Sequence, residues 1–190
     1  MPAEFVAKQI TAVLSDIGSD AIKIGMLSSA EIIKSVADTL KKFPEQSRQV
    51  VVDPVMISTS GSRLLAADAI LALVQELLPI TFVLTPNVPE AEILLNLTPG
   101  SIKSVKDMCE AAQKLAGFGP KYILLKGGHL PLKISGKEQV VDVVYNTIDG
   151  SWYEIANDYV DTKNTHGTGC TLSAALAGEL AKGVSGKPEP

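Results

Sequence analysis

The sequence predicts an α/β fold: a largely parallel sheet with helices on both faces and an antiparallel addition near its C-terminal end. Three observations predict it. Short apolar, β-branched runs alternate with segments of helical periodicity. Those runs read as strands buried on both faces, and strand–helix–strand alternation of this kind implies right-handed crossovers. After Lys126 the pattern changes to two alternating runs joined around Asp149-Gly150, a strong hairpin signal.

"AIKIG" (21–25), "QVVVD" (49–53), "TFVLT" (81–85) and "YILLK" (122–126) read as buried strands. Between them, Ala30 to Lys42 carries Ile32, Ile33, Val36, Ala37 and Leu40 at helical spacing, and Ala66 to Leu78 does the same with Ile70, Leu71, Val74, Leu77 and Leu78. Thr85-Pro86-Asn87 opens a further helix. The segment from Ser104 to Leu115 starts with S-x-x-D, a capping-box-like signal, and gathers Val105, Met108, Cys109 and Ala112 on one face. "EQVVDVVYNTIDGSWYEI" forms the hairpin; a short "DYVDT" run and a small-residue helix from about Thr168 complete the chain.

Composition narrows the functional classes. At 190 residues the chain reads as a single domain spanning 1–190, long enough to bury a core unaided. With a net charge of −4 and no basic stripe, it offers no surface for nucleic acid or an anionic membrane. Two cysteines, Cys109 and Cys170, are too few for a disulfide framework or a zinc site of their own, so a reducing cytoplasm is the expected compartment. No apolar run reaches the length of a membrane span, and "MPAEFVAKQI" lacks the marks of a signal or transit peptide.

In open parallel sheets ligands bind beyond the carboxyl ends of the strands, so the residues just past each strand are the ones to read for chemistry. Asp53 and Pro54 end the second strand and begin a loop rich in Ser, Thr and Gly. A carboxylate there can hold magnesium directly or through water, or simply cap a turn. Asn87 and Glu90 lie three apart at a helix start, where they can face one side or form an ordinary capping box; Glu92 points elsewhere and is the weaker metal candidate. Lys126 leaves an apolar strand beside Gly127-Gly128, which suits a phosphate through a point charge and exposed backbone N–H groups.

"NTHGTGCTL" (164–172) is the most specific stretch. Gly167 and Gly169 allow a nest of N–H groups at a helix N-terminus, Thr168 can add a hydroxyl donor, and Cys170 sits in the first turn, where the helix dipole favours a thiolate. Such a nest stabilises charge on a transferring phosphoryl group. Cys109, by contrast, reads as core. No Walker or dinucleotide glycine pattern is present, so this phosphoryl-transfer reading is not that of a P-loop protein.

"KIGML", "VVDPVMISTSG", "LTPNVPEAEIL", "LLKGGHL" and "DTKNTHGTGCTLSAALA", in that order, resemble the hydroxymethylpyrimidine/phosphomethylpyrimidine kinases of thiamine biosynthesis, in the ribokinase-like superfamily. The resemblance spans essentially the whole chain. It implies a three-layer α/β/α sheet, ATP and Mg2+ as cofactors, and stepwise phosphorylation of 4-amino-5-hydroxymethyl-2-methylpyrimidine and its monophosphate. On this resemblance Cys170 is the catalytic residue, and Gly167, Thr168 and Gly169 form the anion hole. Lys126 and Thr168 meet ATP. Asp53, Asn87 and Glu90 support the metal, and Met26 and Val55 line the pyrimidine pocket.

The chain also departs from the family pattern. The match begins at "EFVAKQI", inside the pattern, without the family's first strands and glycine-rich loop, and it stops at "LAKGVSGKPEP", soon after the anion-hole helix. The resemblance thus implies an incomplete domain with an exposed apolar sheet edge that suits a partner surface, a second copy or fusion to another thiamine-pathway domain. Two alternative functions stand beside the kinase: a catalytically silent remnant that binds nucleotide or a partner protein, and a pyridoxal kinase-like enzyme. Cys170, where sugar kinases of the superfamily usually carry Asp, and the "KIGM" stretch favour hydroxymethylpyrimidine over pyridoxal.

Overall fold

The computed structural model describes residues 1–57, 64–128, 130–134, 136–162 and 164–183. Most of the Ser/Thr/Gly-rich loop after Pro54 lies outside the described residues. The elements are α1 (Ala3–Asp16), β1 (Ile22–Ile24), α2 (Ala30–Leu40), β2 (Val50–Val52), α3 (Ala67–Ala72), β3 (Val83–Leu84), α4 (Val88–Leu94), α5 (Val105–Ala116), β4 (Tyr122–Leu125), β5 (Leu132–Ile134), β6 (Lys137–Asn146), β7 (Trp152–Asp158) and α6 (Thr168–Ala181). All four anticipated strands are present.

Strands β1 to β4 pair in parallel in chain order, with Val51 beside both Lys23 and Val83, and Leu84 beside Ile123. Strand β6 then runs antiparallel to β4, with Leu125 opposite Val143, and takes β5 and β7 as antiparallel partners. The hairpin lies where the Asp149-Gly150 signal puts it: Gly150 has φ +73° and its N–H donates to the Asn146 carbonyl at 3.0 Å.

Alternation along the strands divides the core in two. Val50, Val52, Leu84, Ile123, Leu125 and Val143 face a large core built with α1 to α5, in which Cys109 is buried as expected. Val51, Val83 and Leu124 face the other way and meet Ala177, Leu176 and Leu180 of α6. That second face has only α6 over it among the described helices, and Tyr153 and Ile155 of β7 stay exposed. Strand β1 forms one edge of the sheet.

Several elements differ from expectation. Helix α1 is an addition, although Val6, Ile10 and Leu14 turn toward the core at four-residue intervals. The helix expected over 66–78 is α-helical only to Ala72; it loosens into a π turn over Leu73–Leu77 and tightens to a 3-10 turn over Leu78–Ile80, where Pro79 brings no N–H to the ladder. Strand β5 is a second addition, and "DYVDT" carries no strand beyond Asp158. In α5, Ser104 caps Asp107 N–H at 3.1 Å, while the Asp107 carboxylate returns to Lys103 N–H at 3.0 Å, one residue earlier than in a standard box.

The double glycine after Lys126 has two unlike members. A Cβ on Gly127 would fall 1.9 Å from the Val141 carbonyl oxygen, whereas one on Gly128 would meet nothing within 4 Å. Strand β6 therefore demands a glycine at 127. Gly127→Ala is expected to destabilise the fold by about 2–4 kcal/mol because rigid backbone must move, and Gly128→Ala by less than about 1 kcal/mol. Equal urea-denaturation midpoints for the two variants would contradict this packing.

Candidate active site at the ends of the parallel strands

The sheet register brings Asp53 and Lys126 together. Asp53 N–H donates to the Ile24 carbonyl at 2.9 Å, which continues the β1–β2 ladder one residue past β2. Lys126 N–H donates to the Pro86 carbonyl at 2.8 Å and Lys126 bridges in parallel to Asn87, which does the same for β3 and β4. From these positions Lys126 Nζ donates to Asp53 Oδ1 at 3.0 Å, with side-chain exposures of 14% and 4%. Two charges so far from water are tolerable only as a pair.

The first turn of α6 closes over this pair. Gly167, the residue before the helix, is left-handed at φ +82°. A Cβ on Gly169 would lie 3.0 Å from Lys126 Nζ and 3.7 Å from Asp53 Oδ2, so the glycine admits the ammonium directly under the helix start. The N–H groups of Gly169 and Cys170 donate to no protein acceptor among the described residues, as first-turn donors do before a ligand or water takes them. Cys170 is exposed. The Thr168 hydroxyl donates to the Thr165 carbonyl at 2.8 Å.

Ser173 belongs to this site and does not stand out in the sequence. It is fully buried; its hydroxyl lies 3.0 Å from the Gly169 carbonyl and 3.4 Å from Asp53 Oδ2. Its position, four residues after Gly169 on one helix face, is the only signal that could have found it.

The expected metal-supporting trio looks different in three dimensions. Glu90 is buried, with Oε1 accepting from Met56 N–H at 3.1 Å and Oε2 from Asn87 N–H at 2.9 Å. Asn87 Oδ1 accepts from Glu90 N–H at 2.9 Å, completing a capping box. Each of these oxygens accepts from one backbone donor, so Asn87 and Glu90 hold each other and the Met56 backbone. Among the described residues no cluster of three His, Cys, Asp or Glu side chains could hold a metal. Glu92 is likewise structural, clamping Gly100 and Ile102 N–H groups, each at 2.9 Å.

Burial pushes the Glu90 carboxyl up, against the opposing pull of the Asn87 N–H, the Lys126 charge and the Met56 N–H. The folded state therefore favours the protonated acid. This contribution to stability is present below the ordinary carboxylate range and fades as pH rises through the elevated value. The fold keeps a carboxylate where its charge is disfavoured.

Met26 is exposed just beyond β1, and Val55 follows Pro54 with a left-handed φ of +39°. The groove between α5 and β7, lined by Val105, Cys109, Trp152 and Glu154, lies apart from Asp53, Lys126, Gly169, Cys170 and Ser173. Likewise Gly127 N–H is taken by Asp142 Oδ1 at 2.8 Å, so the double glycine does not offer that donor to a phosphate.

Comparison with known proteins gives this geometry a family. The model of the family described as phosphomethylpyrimidine kinase matches residues 1–188, and the chain belongs to that family. It is 44% identical over 192 residues to the putative hydroxymethylpyrimidine/phosphomethylpyrimidine kinase 2 of Schizosaccharomyces pombe, a match covering 95% of this chain and 34% of that protein. The crystal structure of phosphomethylpyrimidine kinase from Clostridium difficile 630 superposes with a TM-score of 0.78 at 37% identity, covering 97% of this chain and 70% of that one. The ADP complex of Bacillus subtilis pyridoxal kinase superposes with a TM-score of 0.82 at 34% identity, covering 97% and 64%. The chain thus spans about a third of the length of the fission-yeast relative. The α/β sheet read from the sequence is the ribokinase-like one of these neighbours. No helix among the described residues is long and apolar enough to cross a membrane.

Lys126→Met leaves Asp53 buried without a counter-charge and is expected to cost about 3–5 kcal/mol of stability, much of it recovered when Asp53→Asn is added. Urea denaturation of the two single variants and the double measures the coupling; strictly additive losses would contradict a buried pair.

Proposed function

We propose that this chain carries the phosphoryl-transfer site of a thiamine-pathway kinase that phosphorylates 4-amino-5-hydroxymethyl-2-methylpyrimidine and then its monophosphate. The observation that carries this reading is the Lys126 ammonium, held 3.0 Å from Asp53 beneath a helix start whose Gly169 and Cys170 N–H groups have no protein acceptor among the described residues. A fixed cation under free helix N-terminal donors suits an anionic phosphoryl group.

ATP, bound with magnesium, supplies the phosphoryl group. Lys126 neutralises phosphate charge, and the N–H groups of Gly169 and Cys170, with the turn made by Gly167 and Thr168, receive the charge that grows on the transferring oxygens. Cys170 takes the proton from the substrate hydroxyl as it attacks, which keeps the nucleophile from having to shed it into water. Asp53, whose oxygens face Lys126 and Ser173, would help hold the metal, whose charge would offset that of the phosphates. Asn87 and Glu90, braced against each other and Met56 N–H, would support the metal from the start of α4. Met26 and Val55 form the pyrimidine walls. Residues 1–190 act as one domain in this reading.

Pyridoxal is the second substrate to test, favoured by the close superposition on the Bacillus subtilis pyridoxal kinase. ADP release from ATP and magnesium, with the pyrimidine monophosphate or pyridoxal as acceptor, separates the readings. Turnover with the pyrimidine is expected, and its absence from a folded sample would overturn the kinase reading in favour of a silent remnant. Cys170→Ala is expected to lower turnover by at least about a hundredfold while nucleotide affinity changes by less than about threefold. Parallel loss of both would make the cysteine structural. Lys126→Ala is expected to weaken nucleotide binding and rate together; an unchanged nucleotide Kd in calorimetry would remove the lysine from the phosphate site.

A further inference from the structure

The antiparallel ladder between β4 and β6 ends with Leu125 opposite Val143. One step further would set Lys126 opposite Asp142. Leu125 and Val143 face the main core, whereas Leu124 and Val144 face α6. Alternation therefore puts Lys126 and Asp142 together on the α6 face. Opposed side chains on one face of an antiparallel pair are neighbours, and opposite charges there attract. By register, Asp142 is the nearest ready partner for the Lys126 ammonium.

The structure pairs them otherwise. Asp142 Oδ1 accepts from Gly127 N–H at 2.8 Å, while the ammonium crosses β3 to Asp53 Oδ1 at 3.0 Å. Lys126 N–H already donates to the Pro86 carbonyl at 2.8 Å, and Leu130 N–H closes the following turn on the Gly127 carbonyl, also at 2.8 Å. The peptide before Lys126 is thus pinned by the strand on one side, and the peptide after it by a side chain of the strand on the other. Between two pinned peptides the Cα–Cβ bond of Lys126 has one direction. A long, rotamer-rich side chain then has less freedom to lose in reaching Asp53.

We infer that Asp142 is a positioning residue for the Lys126 ammonium: by taking Gly127 N–H it fixes the peptide that follows the lysine and is itself withheld from the charge, so the ammonium reaches Asp53 beneath the start of α6 instead of folding back onto β6. What the ammonium does for ATP rests on the kinase reading above; its aim does not.

Asp142→Ala removes the acceptor, and Asp142→Asn keeps an acceptor without the charge. In the full chain, NMR follows exchange of the Lys126 ammonium and the Gly127 amide with water, and steady-state kinetics give the KM for ATP and for the pyrimidine monophosphate. In Asp142→Ala both exchange rates are expected to rise at least about fivefold while the Val50–Val52 amides stay protected. The ATP KM is expected to rise by about tenfold and the pyrimidine KM to stay within about twofold. Asp142→Asn is expected to return the exchange rates and the ATP KM to within about threefold of wild type. An unchanged ammonium rate in Asp142→Ala, two KM values that rise together, or Asp142→Asn as impaired as Asp142→Ala would overturn the inference.

If Asp142→Ala does not fold, the wild type decides. Its Gly127 amide is expected to exchange at least about a hundredfold more slowly than a free-chain amide, and an unprotected amide there removes the grip. A folded wild-type chain that phosphorylates no pyrimidine defeats the kinase reading instead, and the two exchange rates then judge Asp142 by themselves.

Discussion

Lys126 and Asp53 meet at 3.0 Å with little access to water, and the architecture at this end of the sheet keeps either charge from being left alone. Parallel register supplies the encounter, because β2 and β4 both end at this level with β3 between them. Helix α6 then covers the pair, and only a glycine at 169 lets its first turn come down onto the ammonium. Removing one partner would strand the other in a medium that solvates it poorly, which is a larger penalty than the pair's own net contribution. The interaction is thus better understood as a constraint on where three elements can sit than as a source of stability.

That constraint couples fold to chemistry. The same descent of α6 that buries Ser173 against Asp53 leaves the first-turn N–H groups of Gly169 and Cys170 without a protein acceptor among the described residues. Glu90 adds a second brace, from α4 to the turn at Met56, on the other side of Asp53. The left-handed φ at Val55 costs about 1–3 kcal/mol by itself, and Met56, the next residue, is buried in the core and bonded to Glu90. Rigid strands ending in braced turns are the means by which a parallel sheet holds reacting groups still.

Much of this is legible in the sequence, for physical reasons that differ from residue to residue. Apolar strands announce their own ends, so Asp53 and Lys126 stand out as the first polar residues beyond them. Gly167 and Gly169 before Cys170 mark a turn into a helix, and Cys109 reads as core from its helical face. The hidden features depend on distant partners. Ser173 resembles any small helix residue until Asp53, 120 positions away in sequence, lies beside it. Glu90 reads as a cap or a metal ligand, and its contact with Met56 N–H, 34 positions away in sequence, has no mark in the chain. Gly127 reads as a phosphate donor, but its N–H belongs to Asp142 and its missing Cβ to Val141. Helix α1 is detectable from Val6, Ile10 and Leu14; the π turn at Leu73–Leu77 becomes intelligible from Pro79 only once the helix is seen to run into it.

In the proposed site the ammonium of Lys126 and the first-turn N–H groups of Gly169 and Cys170 address one common anion. The most direct measurement is an NMR titration with a non-hydrolysable ATP analogue and magnesium, following the Gly169 and Cys170 amides together with the Lys126 side-chain ammonium. The account predicts that all three signals move along one saturation curve. Movement of the lysine without the two amides, or of neither while other regions respond, would contradict it.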